Sequence, residues 1–175
     1  TTFGSYAQAR AFALTRDGSG VIVAGGVANS AAYFALARFD EDLELDPNFS
    51  GDGRVRLGMP GCGDEELLDV ATGTARIYAV GRATCGGLKQ GALIRLTGDG
   101  TRNTSFGNNG IATVNFFSSE MEATGLVERG GYVYVVGNLG NACDPYTNNF
   151  GSCRTFVTRF NRTTGVRDLD FGTTA

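Results

Sequence analysis

Metal-ligating side chains are most concentrated in the acidic segment 40–46. Carboxylates within one short loop are the usual ligands of calcium, so this segment has the right residue types for a calcium site. An EF-hand loop needs glycine at position six and glutamate at position twelve, whereas counting from Asp40 places Leu45 and Gly51 there. We therefore interpret the segment as a solvated edge strand or turn, and we expect neither a metal site nor a cofactor.

Three arginines recur at matching places in the chain, and each is followed eight or nine residues later by an aspartate or asparagine. A ring of arginines could bind a ligand, because the guanidinium group matches carboxylates and phosphates. A structural role is the alternative, in which a charge-assisted hydrogen bond to the later residue locks a turn. We favour the structural role for these repeat positions, which are Arg38 with Asp46, Arg95 with Asn103, and Arg159 with Asp168.

Four cysteines in a chain without histidine favour disulfides over a zinc site. Cys62 and Cys85 fall in two connections of the second repeat unit that emerge at the same end of an antiparallel sheet, so we predict a bridge between them. Cys143 and Cys153 fall in one connection of the third unit and would close a local loop. Disulfides indicate an extracellular or cell-surface protein, whereas four buried free thiols in a cytosolic protein are the alternative.

The groups needed for common hydrolytic reactions are missing from the sequence. The chain has no histidine, which is the commonest general base, and neither a G-x-S-x-G nor an H-E-x-x-H motif occurs. Acid pairs such as Glu65 and Glu66 could serve a glycosidase only if the fold set two carboxylates across a cleft. We expect no catalytic residues and no enzyme.

Composition excludes several classes of partner. A chain of 175 residues with 42% hydrophobic residues can bury a sizeable core and is too apolar to be disordered. Its net charge of -3 gives no electrostatic reason to bind nucleic acid. Since no apolar run approaches the roughly 18 residues of a membrane span, we expect no membrane insertion either.

The elements that position these residues follow a repeat. Apolar runs closed by glycine occur at 21–25, 77–81 and 132–137, and the closing glycines are 56 residues apart. An arginine-bearing strand follows each run, and then Asp or Asn three residues before a phenylalanine. Glycine turns separate the runs, and no stretch has helical periodicity. We predict an all-β single repeat domain over 1–175, with three four-stranded antiparallel units at about 1–49, 50–106 and 107–171.

This order of motifs resembles the delta-sixty repeat, a bacterial repeat found in large secreted and cell-surface proteins. The resemblance covers nearly the whole chain and is best at 35–39, 46–53 and 103–110. It implies units of β-propeller-blade type and no shared chemistry. Because propellers close with about four to eight blades, three units would form an incomplete ring. A β-trefoil, which also has three four-stranded repeats, is the alternative.

One segment, 141–153, is an insertion within the third unit. Its aromatic and amide side chains could bind a glycan or a protein surface, although a decorative loop is the alternative; these residues are Tyr146, Asn148, Asn149 and Phe150. We expect a secreted or cell-surface, non-catalytic module for binding or scaffolding, whose partners are further repeat units or copies of itself. A structural subunit of an extracellular assembly or filament and a carbohydrate-binding lectin are the alternatives.

Overall fold

The computed structural model describes residues 8–18, 20–28, 32–115, 120–140 and 153–172. Within these ranges the chain forms eleven β-strands and no helix, which confirms the all-β prediction. The strands are β1 (Gln8–Asp17), β2 (Gly20–Ala28), β3 (Ala32–Phe39), β4 (Arg54–Leu57), β5 (Cys62–Gly73), β6 (Arg76–Cys85), β7 (Leu88–Thr97), β8 (Ile111–Val114), β9 (Met121–Arg129), β10 (Tyr132–Leu139) and β11 (Arg154–Asn161).

Three separate antiparallel sheets contain these strands, in the orders β1-β2-β3-β4, β5-β6-β7-β8 and β9-β10-β11. Each strand pairs with its neighbour in sequence, so every sheet is a meander of the kind that forms a propeller blade. The described strands do not close into one barrel, and the β-trefoil alternative is therefore wrong. The third sheet has three described strands.

Sheets and sequence repeats are out of phase along the chain. β4 and β8 follow the phenylalanine turns in sequence, yet they pair with β3 and β7 of the sheet that precedes each turn. The first two sheets therefore end at residues 57 and 114, eight residues beyond the repeat boundaries 49 and 106. As a result, each of these phenylalanine turns lies between the third and fourth strands of one sheet.

Most strands are longer than the apolar runs that predict them. β5 has 12 residues, because polar residues before its apolar centre continue the hydrogen-bonded ladder with β6. Cys62 pairs with Cys85 and Glu66 pairs with Arg82 in this extension. Hydrogen bonding between strands does not require apolar side chains, so a hydrophobic pattern underestimates the length of these strands.

The glycine that closes each apolar run is required by a β-bulge on the neighbouring strand. In all three sheets the first strand has one extra residue opposite this glycine. A Cβ on the glycine would collide with a backbone carbonyl of the bulged strand: Arg10 O at Gly25, Glu66 O at Gly81 and Glu122 O at Gly137. The repeating glycine therefore reflects a close approach of two backbones.

The second sheet is buried on both faces, because the first strand of each later sheet packs against the sheet before it. Along β6, Ile77 and Ala79 join the core shared with the first sheet. The alternate residues Tyr78 and Val80 join the core shared with the third sheet. This explains why β6 is continuously apolar rather than alternating. We call each contact between two successive sheets a seam.

Candidate functional site

Arg38, on β3, is the centre of a cluster that locks the turn following its strand. Its guanidinium carbon lies 4.9 Å from the centre of the Phe49 ring, and its Nε lies 2.9 Å from Asp46 Oδ2. The Nε proton is not aligned for a hydrogen bond, so this contact is an ion pair. Arg38 Nη1 also donates to Asp17 Oδ2 at 3.2 Å. The cluster holds Phe49 under the guanidinium group, where its ring is completely buried.

The third unit has the same cluster around Arg159. Its Nε and Nη2 both lie 2.7 Å from Asp168 Oδ2, and its guanidinium carbon lies 4.9 Å from the Phe171 ring centre. The hydrogen bond from Arg159 holds the pKa of the Asp168 carboxyl below its usual value. The backbone N–H of Asp168 also donates to the carbonyl of Arg159 at 2.9 Å.

The second unit departs from this pattern because asparagine replaces the acid. Arg95 keeps its place over Phe106, with 6.0 Å between its guanidinium carbon and the ring centre. Its buried Nε, like that of Arg38, has no hydrogen-bond partner in the described part of the chain, and here no carboxylate of the turn forms an ion pair with it. The backbone bond from Asn103 N to Arg95 O, 3.1 Å long, is retained. The turn is therefore held by its backbone while one buried donor lacks an acceptor.

These turns also make the hydrogen bonds that cross the seams. At the first seam Arg38 Nη1 donates to Gly98 O at 2.6 Å, and the Ser50 N–H donates to Asp99 O at 2.8 Å. The second seam repeats both bonds one unit later, from Arg95 Nη1 to Thr163 O at 3.0 Å and from Gly107 N to Thr164 O at 2.8 Å. Arg38 and Arg95 thus each donate one hydrogen bond to the next sheet, and Arg38 also pairs with the carboxylate of its own turn.

A phenylalanine packs against a glycine at the centre of each seam. A Cβ on Gly100 would lie 2.7 Å from a ring carbon of Phe49, and a Cβ on Gly165 would lie 3.1 Å from the ring of Phe106. Both glycines have positive φ, 85° and 72°. Each phenylalanine therefore fits only because the turn of the next sheet has no side chain at that point.

The third sheet presents the same set of residues, and within the part of the chain that the structure describes no further sheet packs against them. In the second sheet Tyr78, Val80 and Leu93 are fully buried at the second seam. The corresponding face of the third sheet, which we call the outer face, consists of Tyr134, Val136, Val157, Arg159 and Phe171. Val136 is 42% exposed and Val157 is 59% exposed. Phe171 is half-buried, whereas Phe49 and Phe106 are completely buried.

A row of ion pairs also joins the sheets, away from the phenylalanines. Arg82 lies between two carboxylates, with 2.8 Å from Nη2 to Glu66 Oε2 and 2.7 Å from Nη1 to Glu122 Oε2. Glu122 belongs to the third sheet, so this pair crosses the second seam. Arg10 Nη1 of the first sheet lies 3.9 Å from Glu66 Oε1, so the row of ion pairs continues across the first seam. These ion pairs align neighbouring sheets.

Glu65 is a carboxyl group buried at the first seam, with 1% of its surface exposed. Its Oε1 accepts a hydrogen bond from the backbone N–H of Met59 at 2.5 Å. Burial raises the pKa of this carboxyl group above its usual value, despite that hydrogen bond.

The predicted bridge between Cys62 and Cys85 is present. Its position differs from the expected one, because the two cysteines lie in paired positions of β5 and β6 rather than in connections between strands. Cys153 is also disulfide-bonded. Cys143 lies outside the described residues, so its pairing with Cys153 remains a prediction.

The acidic segment 40–46 forms a turn and the start of the Arg38 cluster. Asp40 Oδ1 accepts hydrogen bonds from the backbone N–H groups of Asp42 and Glu44, at 3.0 and 2.9 Å. Among the described residues no group of three or more Cys, Asp or Glu side chains could hold a metal ion. In those residues there is also no helix of the length and apolarity that would span a membrane. The insertion residues Tyr146, Asn148, Asn149 and Phe150 lie outside the described residues.

The glycine that receives the phenylalanine was not among the residues predicted from the sequence. Its signal is a glycine three residues before Asn103 or Asp168, at Gly100 and Gly165. This signal is weak because the chain has 27 glycines, most of which fit equally well in ordinary turns. The exposure of Val136 and Val157 could not be predicted from their residue types either, because buried strands and uncovered strands both contain valine.

Comparison with known proteins gives one family match. Residues 18–49 and 76–106 match the family described as "Domain of unknown function (DUF5122) beta-propeller". Each matched segment covers the second and third strands of one sheet and ends at its phenylalanine. No curated protein matches the chain. The two matches, together with three successive meander sheets, support a β-propeller repeat family for this chain.

Proposed function

We propose that the chain is an extracellular, non-catalytic repeat module of the delta-sixty type, which docks through its outer face onto a further repeat unit within a larger scaffold. The outer face carries this proposal. Tyr134, Val136 and Val157 correspond to side chains that the next sheet covers at the second seam. An apolar face built like a buried one is typical of an interaction surface.

Two observations support the finer parts of the proposal. Both family matches include the Asp/Asn-x-x-Phe motif and end at its phenylalanine, at Phe49 and Phe106. This motif lies within two of the segments that best resemble the delta-sixty repeat, 46–53 and 103–110. The bond between Cys62 and Cys85 supports an extracellular location, because such bonds persist in oxidising compartments.

The contacts of the arginine side chains support a non-catalytic role. Arg38 and Arg159 are each paired with a carboxylate and stacked on an aromatic ring. Arg82 is held between two carboxylates from different sheets. Charges engaged in this way hold the sheets together, and they are not presented to a substrate.

An extended chain tests the proposal. Gly172 occupies the position of Ser50, four residues after the acid, so a second copy of residues 51–114 can follow it in register. This copy supplies a fourth strand to the third sheet and then a fourth sheet. We expect one cooperative thermal transition at a higher temperature, and slower amide hydrogen exchange at Val136 and Val157 than in the original chain.

The matched control is the same extended chain with Gly100→Ala in the added copy only. The added Cβ would meet Phe171 as it would meet Phe49 at the first seam, so this chain should lose most of the gain. Separate unfolding of the added sheet, with unchanged exchange at Val136 and Val157, would show that the outer face is not a docking surface for a repeat unit.

A further inference from the structure

One turn of the second sheet and one turn of the third sheet form the receiving sides of the two seams, and the first sheet has a corresponding turn. Leu43, Gly100 and Gly165 each lie three residues before the Asp or Asn of their unit. All three have positive φ, at 61°, 85° and 72°. Each also donates its N–H back within the turn, at 3.2, 3.0 and 2.9 Å. The first sheet therefore has the same turn, but with leucine in place of glycine.

A side chain at this position is incompatible with the contact seen at both seams. At Gly100 a Cβ would lie 2.7 Å from the Phe49 ring, and at Gly165 it would lie 2.8 Å from the backbone nitrogen of Gly107. Leu43 carries this Cβ and is 69% exposed. A phenylalanine approaching the first sheet in the same geometry would therefore collide with Leu43.

Backbone acceptors of the contact are present in the first sheet. The carbonyls of Glu41 and Asp42 occupy the positions of Gly98 and Asp99, and within the described residues no backbone or side-chain donor reaches them. The ion pairs that cross the seams would not oppose docking onto the first sheet either. The third sheet has the neutral Asn138 at the position of Arg82, so it presents no arginine there. The side chain of Leu43 is thus the feature of this turn that opposes docking.

We infer that docking through this contact is directional, and that Leu43 closes the first sheet to it. The partner of the outer face is then a repeat unit with glycine three residues before its Asp or Asn, and not the first sheet of a second copy. This inference rests on the proposed docking role of the outer face. It specifies which repeat units can dock onto the outer face. It also states that the turn of the first sheet that contains Leu43 cannot receive a repeat unit through this contact.

The test pairs two different copies of the chain. The receiver carries Leu43→Gly, which opens its turn, and Phe171→Ala, which disables its own outer face so that it cannot polymerise. The donor is the unaltered chain. In sedimentation velocity we expect donor and receiver to form a 1:1 dimer, with at least tenfold tighter association than the donor shows with itself.

Two controls isolate the two residues that make the contact. A receiver with Leu43→Ala and Phe171→Ala keeps the Cβ while losing the exposed leucine side chain, and it should not bind the donor. A donor with Leu169→Ala loses a 67% exposed side chain from the same turn as Phe171 and should still bind the Leu43→Gly receiver. If Phe171→Ala unfolds the receiver in a thermal melt, Val157→Glu disables its outer face instead.

Three results would overturn the inference, and the first two are equal binding of the Leu43→Gly and Leu43→Ala receivers and association of the unaltered chain with itself that Phe171→Ala abolishes. Absence of binding to the Leu43→Gly receiver also counts against it. If the extended chain described above still gains stability in that case, only the role of Leu43 is wrong. If the extended chain gains none, the proposed docking role of the outer face is wrong as well.

Discussion

Phe49 and Gly100 lie on different sheets and are packed so closely that no Cβ fits between them. This makes the glycine a requirement of the seam as well as of its turn. Gly51 provides a comparison with nearly the same positive φ, 86° against 85° at Gly100, but with open space around it. Alanine substitutions at the two sites therefore separate the cost of a Cβ at positive φ from the cost of a collision between that Cβ and Phe49.

We predict that Gly51→Ala lowers the free energy of unfolding by about 1–2 kcal/mol, the usual cost of a Cβ in the left-handed region. Gly100→Ala carries the same cost and adds overpacking against Phe49, so it should lose about a further 1–3 kcal/mol. Urea unfolding followed by circular dichroism measures both values. Equal losses would mean that the seam tolerates a Cβ at Gly100.

Arg95 has a buried donor that lacks a partner, and Asn103→Asp should supply one. In the third unit Arg159 Nε donates a hydrogen bond to Asp168 Oδ2 at 2.7 Å, and this is the bond that the substitution would reproduce. In the first unit Arg38 Nε lies 2.9 Å from Asp46 Oδ2 as an ion pair without a hydrogen bond. We expect the substitution to raise the free energy of unfolding at pH 7 by about 1 kcal/mol, since the new bond satisfies a buried group. Asn108→Asp, at an exposed site of the next turn, makes the same change of charge as a control.

The gain from Asn103→Asp should depend on pH in a defined direction. The corresponding Asp168 has a pKa lowered from 3.8 by its arginine. A lowered pKa in the folded state gives stability that is full above 3.8 and is lost as the pH falls through the folded pKa. The difference between the variant and the original chain should therefore vanish in strong acid. A gain that persists there would not come from an ion pair with Arg95.

Residue types and spacing were sufficient to predict the repeating strands and the bridge between Cys62 and Cys85, because both follow from local patterns. The 56-residue spacing of Gly25, Gly81 and Gly137 marks equivalent strands without any knowledge of packing. The sheet to which a fourth strand belongs could not be predicted, because hydrogen bonds from β4 to β3 or to β5 would leave the same alternating pattern in the sequence.

The outer face was beyond prediction for a different physical reason. Val80 and Val136 are the same residue type at equivalent positions, yet one is completely buried and the other is 42% exposed. Exposure depends on whether another sheet follows, which is a property of the assembled sheets. Leu43 likewise reads as an ordinary apolar residue in an acidic turn until its φ and its counterparts at Gly100 and Gly165 are known.

The bridge between Cys62 and Cys85 should stabilise the second sheet by restricting the unfolded chain. The two residues are 23 apart in sequence, and a loop of that size corresponds to about 3 kcal/mol in the chain-entropy model. We expect the double variant Cys62→Ala and Cys85→Ala to unfold at a lower urea concentration, with a loss of about that size in the free energy of unfolding.

Dithiothreitol added to this variant should still lower its stability, because Cys153 is in a second disulfide. Peptide mapping should join Cys153 to Cys143 if the sequence prediction is right.

Glu65 should make the protein less stable as the pH rises, because its carboxyl group is buried. Burial raises its folded pKa above 4.5, so the protonated form is favoured by folding. Its contribution is fully present below pH 4.5 and is lost as the pH rises through the folded pKa. Glu65→Gln keeps an oxygen that can accept from Met59 N–H and removes the charge. We expect the free energy of unfolding of this variant to rise relative to the original chain as the pH rises from 4.5 through the folded pKa of Glu65.

The slope of this difference with pH is the decisive quantity, because Glu65→Gln can also change the stability by a constant amount. Glu41→Gln removes an equivalent charge from an exposed site and serves as the control. Urea unfolding at a series of pH values gives both slopes. A Glu65→Gln difference that does not change with pH would mean that water reaches the carboxyl group, since a hydrated carboxylate is not penalised by folding. Because Glu65 lies at the first seam, the same result would indicate that the first two sheets separate more readily than their packing implies.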